Sequence, residues 1–138
     1  NAWAVANLES AEGAAARPTA SMVGDDPAAA FAASSAAALA AFKAPGARSK
    51  MLALPFGRMP GAAFAGVRAT DLLVHGWDIA KATGQPTDFA PELNEGALAA
   101  ARRMLTFDHA GSPFGPEQPV AADAPAADRL AAFLGRAV

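Results

Sequence analysis

The chain has 138 residues, 13 acidic and 11 basic side chains, a formal net charge of -2 and no cysteine. That length suits a single domain, 1–138, burying roughly two thirds of its unfolded surface. The mild acidity, with no basic cluster beyond Arg102-Arg103, argues against nucleic acid as a partner, and no apolar run approaches the ~20 residues that span a bilayer. Without cysteine there is no disulfide, thiolate ligand or sulfur nucleophile, and the chain reads as a soluble protein with the cytoplasm as its expected compartment. Apolar residues make up 53% of the sequence, many of them alanine, which favours close helix packing over a thick interior.

In chain order, Trp3, Ala6 and Leu8 suit a short amphipathic helix ending near Gly13, followed by a linker over 14–25. Asp26 and Pro27 then supply a cap and a first helical residue, and Pro45-Gly46 a stop, with Phe31, Ala38, Leu39 and Phe42 on one buried face. "SKMLALPFGRMPG" breaks the helical period, so a short extended excursion or hairpin is expected there. Pro60 opens a long helix over 61–83 that Gly84 closes. A fourth helix is expected over 91–105, capped by Thr87 or Asp88, with Leu93, Ala97, Leu98, Ala101, Met104 and Leu105 inward. After a Pro/Gly loop over 106–122, a last helix over 125–134 is capped by Asp123, stopped by Gly135 and packed through Leu130, Phe133 and Leu134. The fold class these elements predict is all-α, an antiparallel helical bundle with one extended excursion before its long helix.

The long helix carries the chemistry. Within "ATDLLVHGWDIAKATG", Asp71, His75 and Asp78 follow one another at intervals of four and three, on an arc that begins apolar at Phe64 and Val67 and is therefore expected to face the bundle interior. A carboxylate four residues before an imidazole places both on adjacent turns of one face, where they can hold one ion, and a buried carboxylate needs a cation or donor. Gly76, unfavourable in a helix, points to a close approach by backbone or ligand. The same residues admit a plainer reading, in which Arg68 pairs with Asp71, Lys81 pairs with Asp78, and His75 is a core histidine bonded to a carboxylate. Two ligands on one helix do not complete a site, and the only other histidine, His109, falls in the Pro/Gly loop and reads as a surface residue.

"TDLLVHGWDIAKATGQP", with "LPFGRMPGAA" before it and "DRLAAFLGR" near the end, resembles actinobacterial metal-binding proteins related to mycothiol-dependent maleylpyruvate isomerase, in the DinB-like four-helix bundle superfamily. The resemblance extends over most of the chain and is most specific at "DLLVHGWD". It implies that Asp71 and His75 are ligands to a divalent metal, with zinc or nickel expected; Asp78 matches the Asp of the family's "HGWD" signature, to which we assign the part of supporting the ligands from behind, with Trp77 as packing. It also implies a further histidine ligand near the end of a first helix, a few residues before the point where this sequence begins. The chain is accordingly expected to lack that helix, as a start at Asn1 in the middle of a helical pattern also suggests.

Two functions follow. The first is a metal-dependent protein acting on small molecules, a transferase or isomerase with a thiol of the mycothiol type as co-substrate, for which the lack of cysteine suits a borrowed thiol. The second is a non-catalytic helical module whose polar stripe is structural or vestigial and which acts through self-association as a homodimer.

Overall fold

The computed structural model describes residues 1–9, 23–105 and 114–138. Among them are five helices and one antiparallel pair of strands. The described residues fall into two compact units, Asn1–Ala65 and Gly66–Val138, with the boundary inside the long helix.

The first unit begins with helix α1, Ala2–Glu9, which buries Ala4, Asn7 and Leu8. Asn7 sits on the covered face because its amide donates to the Trp3 carbonyl at 2.8 Å, so a polar residue placed between apolar ones by the sequence pattern is accommodated by its own helix. The expected end near Gly13 and residues 14–22 of the linker expected over 14–25 lie outside the described residues, while 23–25 are described and are neither helix nor strand. Helix α2, Pro27–Lys43, starts as its composition dictates: Asp26 accepts from the Ala29 N–H at 2.9 Å and Pro27 occupies the first turn. Its covered face is smaller than anticipated. Ala38 and Ala41 are buried, Phe42 is half-buried, and Phe31 and Leu39 are exposed. Asn1 meets α2 at Ser34 and Ser35, its amide donating to both hydroxyls at 3.2 and 2.9 Å, so the contact with α1 runs over small residues rather than over the two large ones.

The excursion is a hairpin. Strands β1, Met51–Leu54, and β2, Gly57–Pro60, pair antiparallel in the register Met51 to Pro60 and Leu54 to Gly57, around the turn at Pro55-Phe56. Strand alternation decides burial: Leu52 and Leu54 point inward while Met51 and Ala53 are exposed. Gly57, at φ 130°, supplies the backbone conformation that the turn needs and that a Cβ would disfavour.

The hairpin delivers the chain to helix α3, Gly61–Ala82. The first N–H groups of α3 are not met by a side chain. Gly61 donates to the Lys50 carbonyl and Ala62 to the Arg48 carbonyl, both at 2.8 Å, so the turn before β1 acts as the cap. This approach requires glycine, since a Cβ on Gly61 would lie 2.0 Å from the Ala47 carbonyl oxygen. Phe64 closes the unit's core, fully buried, edge-on to Trp3 at 5.3 Å between centroids and tilted against Phe42 at 5.9 Å. An aromatic residue buried to that extent contributes on the order of 2–3 kcal/mol.

In the second unit α3 buries Val74, Trp77 and Ala80, with Leu73 half-buried. It ends as Gly84 foretold: at φ 68° the glycine lets Gln85 donate to the Ala80 carbonyl and its own N–H bond to Lys81. Helix α4, Pro91–Met104, presents Asn94, Ala97, Leu98 and Ala101 inward at helical spacing, and Leu105, just past its end, packs against the same core. Leu93 and Met104, expected inward, are exposed, Leu93 at the edge of that stripe in the first turn and Met104 at the last residue of the helix. The expected cap by Thr87 or Asp88 is also absent. Ala90 takes the N-cap position in a left-handed conformation, Asp88 is exposed, and the Thr87 hydroxyl donates to Asp128. Asn94 instead ties the start of α4 to the preceding chain, donating to the Phe89 and Ala90 carbonyls.

The loop expected over 106–122 is described from Phe114 onward, without helix or strand; 106–113, and His109 with them, lie outside the described residues. Helix α5, Ala126–Phe133, follows Pro125 with no side-chain cap, so Asp123 does not play the part expected of it. Ala127, Leu130 and Ala131 are buried, and Leu130, Phe133 and Leu134 join Val74, Ala97, Leu98 and Ala101 in one cluster. Trp77 packs with Ala127, Ala131 and Phe89 in a second. Among the described residues no helix is long and apolar enough to cross a membrane.

Candidate functional site

The helical spacing of Asp71, His75 and Asp78 places all three on adjacent turns of α3 within the second unit. They are in contact. His75 Nδ1 lies 3.1 Å from Asp78 Oδ2 and His75 Nε2 lies 3.5 Å from Asp71 Oδ1, so the imidazole is flanked by a carboxylate at each nitrogen. Each carboxylate in turn has an arginine. Arg68 Nη1 reaches Asp71 Oδ2 at 2.7 Å, and Arg136 spans both oxygens of Asp78, Nε to Oδ1 at 3.2 Å and Nη2 to Oδ2 at 3.1 Å. The result is a chain of five alternating groups, Arg68, Asp71, His75, Asp78 and Arg136.

The stripe does not face the interior as its sequence pattern predicted. The His75 side chain is 62% exposed and Asp71 is 40% exposed. That expectation extended the arc from Phe64, whose burial belongs to the first unit with Trp3 and Phe42. In the second unit the helix covers Val74, Trp77 and Ala80, and His75 lies off that face. Around it are Leu72 and Ile79, both exposed. The pairing of Asp71 with Arg68 anticipated from the sequence is present. The anticipated partner of Asp78 is replaced: Lys81 lies over the Trp77 ring, 5.6 Å from its centroid, and Arg136 holds the carboxylate.

Arg136 is the site residue that local pattern could not find. It stands 58 positions from Asp78 and is brought there by the end of α5. Gly135, at φ 88°, turns the chain so that its own N–H bonds to Ala132 and that of Arg136 to the Ala131 carbonyl at 3.0 Å. The guanidinium is thus fixed at its root, and Nη1 donates to the Leu134 carbonyl. Its fork holds the Asp78 carboxyl below the ordinary carboxylate pKa, against a partial burial that pushes it up, and the hydrogen bond with His75 lowers it further.

The close approach at Gly76 is made by a side chain: a Cβ there would come within 3.2 Å of the Phe89 ring. Trp77 does pack, and it also donates its indole N–H to Asp128 at 2.6 Å, a bond shared with Thr87 on the same carboxylate oxygen.

For a metal, the relevant distance is the 3.5 Å between Asp71 Oδ1 and His75 Nε2. Two donors on a tetrahedral ion with bonds of about 2.1 Å stand roughly 3.4 Å apart, so the pair fits one edge of such a site. The hydrogen bond of Nδ1 with Asp78 is the support that metal-binding histidines usually have. Among the described residues no group of three or more His, Asp or Glu side chains is arranged to hold an ion, so Asp71 and His75 do not by themselves make a whole metal site.

Two proteins of Mycobacterium tuberculosis are similar to this chain, the uncharacterized protein MT0763 of strain CDC 1551 / Oshkosh and the uncharacterized protein Rv0738 of strain ATCC 25618 / H37Rv. Each is 50% identical over 112 residues, which cover 80% of this chain and 62% of the mycobacterial protein. The chain therefore spans less than two thirds of the length of these relatives. No family model matches the chain, and no solved structure matches it.

Proposed function

We propose that the protein binds a divalent metal, zinc or nickel, through Asp71 and His75, and acts on small molecules as a thiol-dependent transferase or isomerase of the mycothiol type, on a helical fold of the DinB-like class. One observation carries this reading. If Nδ1–H of His75 donates to Asp78, then Nε2 offers a lone pair, and 3.5 Å away it meets Asp71 Oδ1, another acceptor. Two acceptors facing each other call for a positive charge between them, and a divalent ion meets that need with bond lengths that suit the gap. When bound, such an ion supplies Lewis acidity, lowering the pKa of a thiol or water at its open positions. The exposure of His75 leaves room for a further protein ligand and for substrate.

The residues around the pair have separate parts in this scheme. Arg68 occupies Asp71 Oδ2 and so leaves Oδ1 as the metal-facing oxygen. Asp78 holds the imidazole in the tautomer that frees Nε2. Full-length protein is expected to co-purify with about one zinc- or nickel-type ion per chain, and His75→Ala to lose it. Elemental analysis of the two proteins checks this, and equal metal content in both would end the metal reading.

A second reading draws on the same chain of charges. Arg68 and Arg136 already neutralise the two carboxylates, and a proton on Nε2 would satisfy Asp71 without any metal. The stripe is then structural and the protein a non-catalytic module acting through self-association as a homodimer. Melting and molecular mass that are both indifferent to a chelator support this alternative.

A further inference from the structure

The chain of contacts through Asp78 gives Arg136 a task that its place just past the end of α5 does not suggest. A carboxylate on a helix surface has rotational freedom about its two side-chain torsions, and an exposed carboxylate partner holds an imidazole only loosely. Asp78 is not in that position. Its two oxygens are gripped by the Nε and Nη2 of one planar guanidinium, the two-point geometry that fixes a carboxylate in orientation as well as in distance. The guanidinium is itself restrained by the turn at Gly135 and by the bond from Nη1 to the Leu134 carbonyl, and its side chain is only 24% exposed. Of the two carboxylate oxygens, Oδ2 is the one that also faces His75 Nδ1.

We infer that Arg136 is a positioning residue for His75: by locking the Asp78 carboxylate it fixes the imidazole as the Nδ1–H tautomer, with the Nε2 lone pair presented toward Asp71. The alternative tautomer, with its proton on Nε2, would set the Nδ1 lone pair against the Asp78 carboxylate 3.1 Å away, and a carboxylate held at both oxygens cannot turn aside to relieve that clash. A lysine at 136 could neutralise Asp78 but could not grip both oxygens in one plane. The metal reading gives this preorganisation its use, and the inference rests on that reading for its functional meaning. The tautomer itself is a property of the metal-free chain.

The test is long-range proton–nitrogen NMR on uniformly nitrogen-15-labelled, metal-free full-length protein above about pH 8, where an ordinary imidazole is neutral. This sequence holds two histidines, His75 and His109, and the signals lost in His75→Gln and in His109→Asn assign each of them. The expected result is a protonated Nδ1 and an unprotonated Nε2 at His75, with that signature averaged toward a mixture of tautomers in Arg136→Gln and in Asp78→Ala. Arg136→Lys is expected to fall between. A His75 proton residing on Nε2 in the unmodified protein overturns the inference, as does an unchanged signature in Arg136→Gln. If the glutamine variant does not fold, a lysine variant indistinguishable from the parent counts against it in the same way. Zinc titration of the parent and Arg136→Gln proteins supplies the second readout, with affinity expected to fall about tenfold. Because His75→Ala separately decides whether the ion binds at all, loss of the metal reading and loss of the Arg136 inference give different patterns.

Discussion

Asp78 shows how much of a residue's character comes from partners that its neighbours in sequence do not reveal. From the stretch "HGWDIAK" it reads as one half of an exposed pair with Lys81, yet the lysine sits over the Trp77 ring and the carboxylate is taken by Arg136. The consequence is a pH dependence with a definite sign. The Arg136 fork lowers the folded-state pKa of Asp78, so its stabilisation is fully present above the unfolded carboxylate value of about 4 and is lost as pH falls through the lower, folded value. An Asp78→Asn variant is therefore expected to melt below the parent near neutrality, with the gap closing as the buffer is taken below about pH 4. Thermal melts of both proteins across that range check it, and a gap that widens on acidification would contradict the assignment. The spacing of Asp71, His75 and Asp78 was legible because helical periodicity alone brings i, i+3 and i+4 side chains together. Their exposure was not, because Phe64, two turns earlier on the same helix, is buried by a separate set of side chains.

At the scale of elements, the ends of helices divide into those written locally and those set by the surrounding chain. Asp26 and Pro27 start α2, and Gly84 and Gly135 end α3 and α5, each through chemistry that one or two residues carry by themselves. The starts of α3, α4 and α5 are different. The carbonyls of Arg48 and Lys50 accept from the first N–H groups of α3, while α4 and α5 begin at Ala90 and Pro125 with no side-chain cap, so Asp88 and Asp123 do not take the parts that pattern assigned to them. The two closing glycines also differ in their surroundings. Nothing lies within 4 Å of a Cβ added at Gly84, whereas one added at Gly135 would meet the Gly115 backbone at 2.7–2.9 Å. Gly84→Ala is accordingly expected to cost about 1–2 kcal/mol, the ordinary penalty of a left-handed alanine, and Gly135→Ala distinctly more. Urea unfolding of the two variants measures the difference. Equal losses would mean that the Gly115 approach relaxes freely.

For the molecule as a whole, the helical composition and the hairpin were readable from alanine content, caps and the break in period at "SKMLALPFGRMPG". Selecting which large side chains would be covered was harder, because a 17-residue helix rich in alanine offers several faces of similar apolarity. Phe31, Leu39, Leu93 and Met104 are exposed, while alanines and two asparagines take covered positions. The core of the second unit therefore depends on few large residues. Leu130, almost wholly buried among Val74, Leu98 and Phe133, is one of them, and Leu130→Ala is expected to lower unfolding free energy by about 2–5 kcal/mol. A loss under about 1 kcal/mol in denaturant titration would show that the cluster collapses around the missing methyl groups.

The two tryptophans are divided between the units: Trp3 is half-buried beside Phe64 and Phe56 in the first, and Trp77 is buried with its indole N–H on a carboxylate in the second. Nature has thereby installed one intrinsic fluorophore per unit, in surroundings of different polarity. Replacing either with phenylalanine leaves a chain whose emission follows the remaining indole alone, so that melting can be watched separately on each side of residue 65 without an added label.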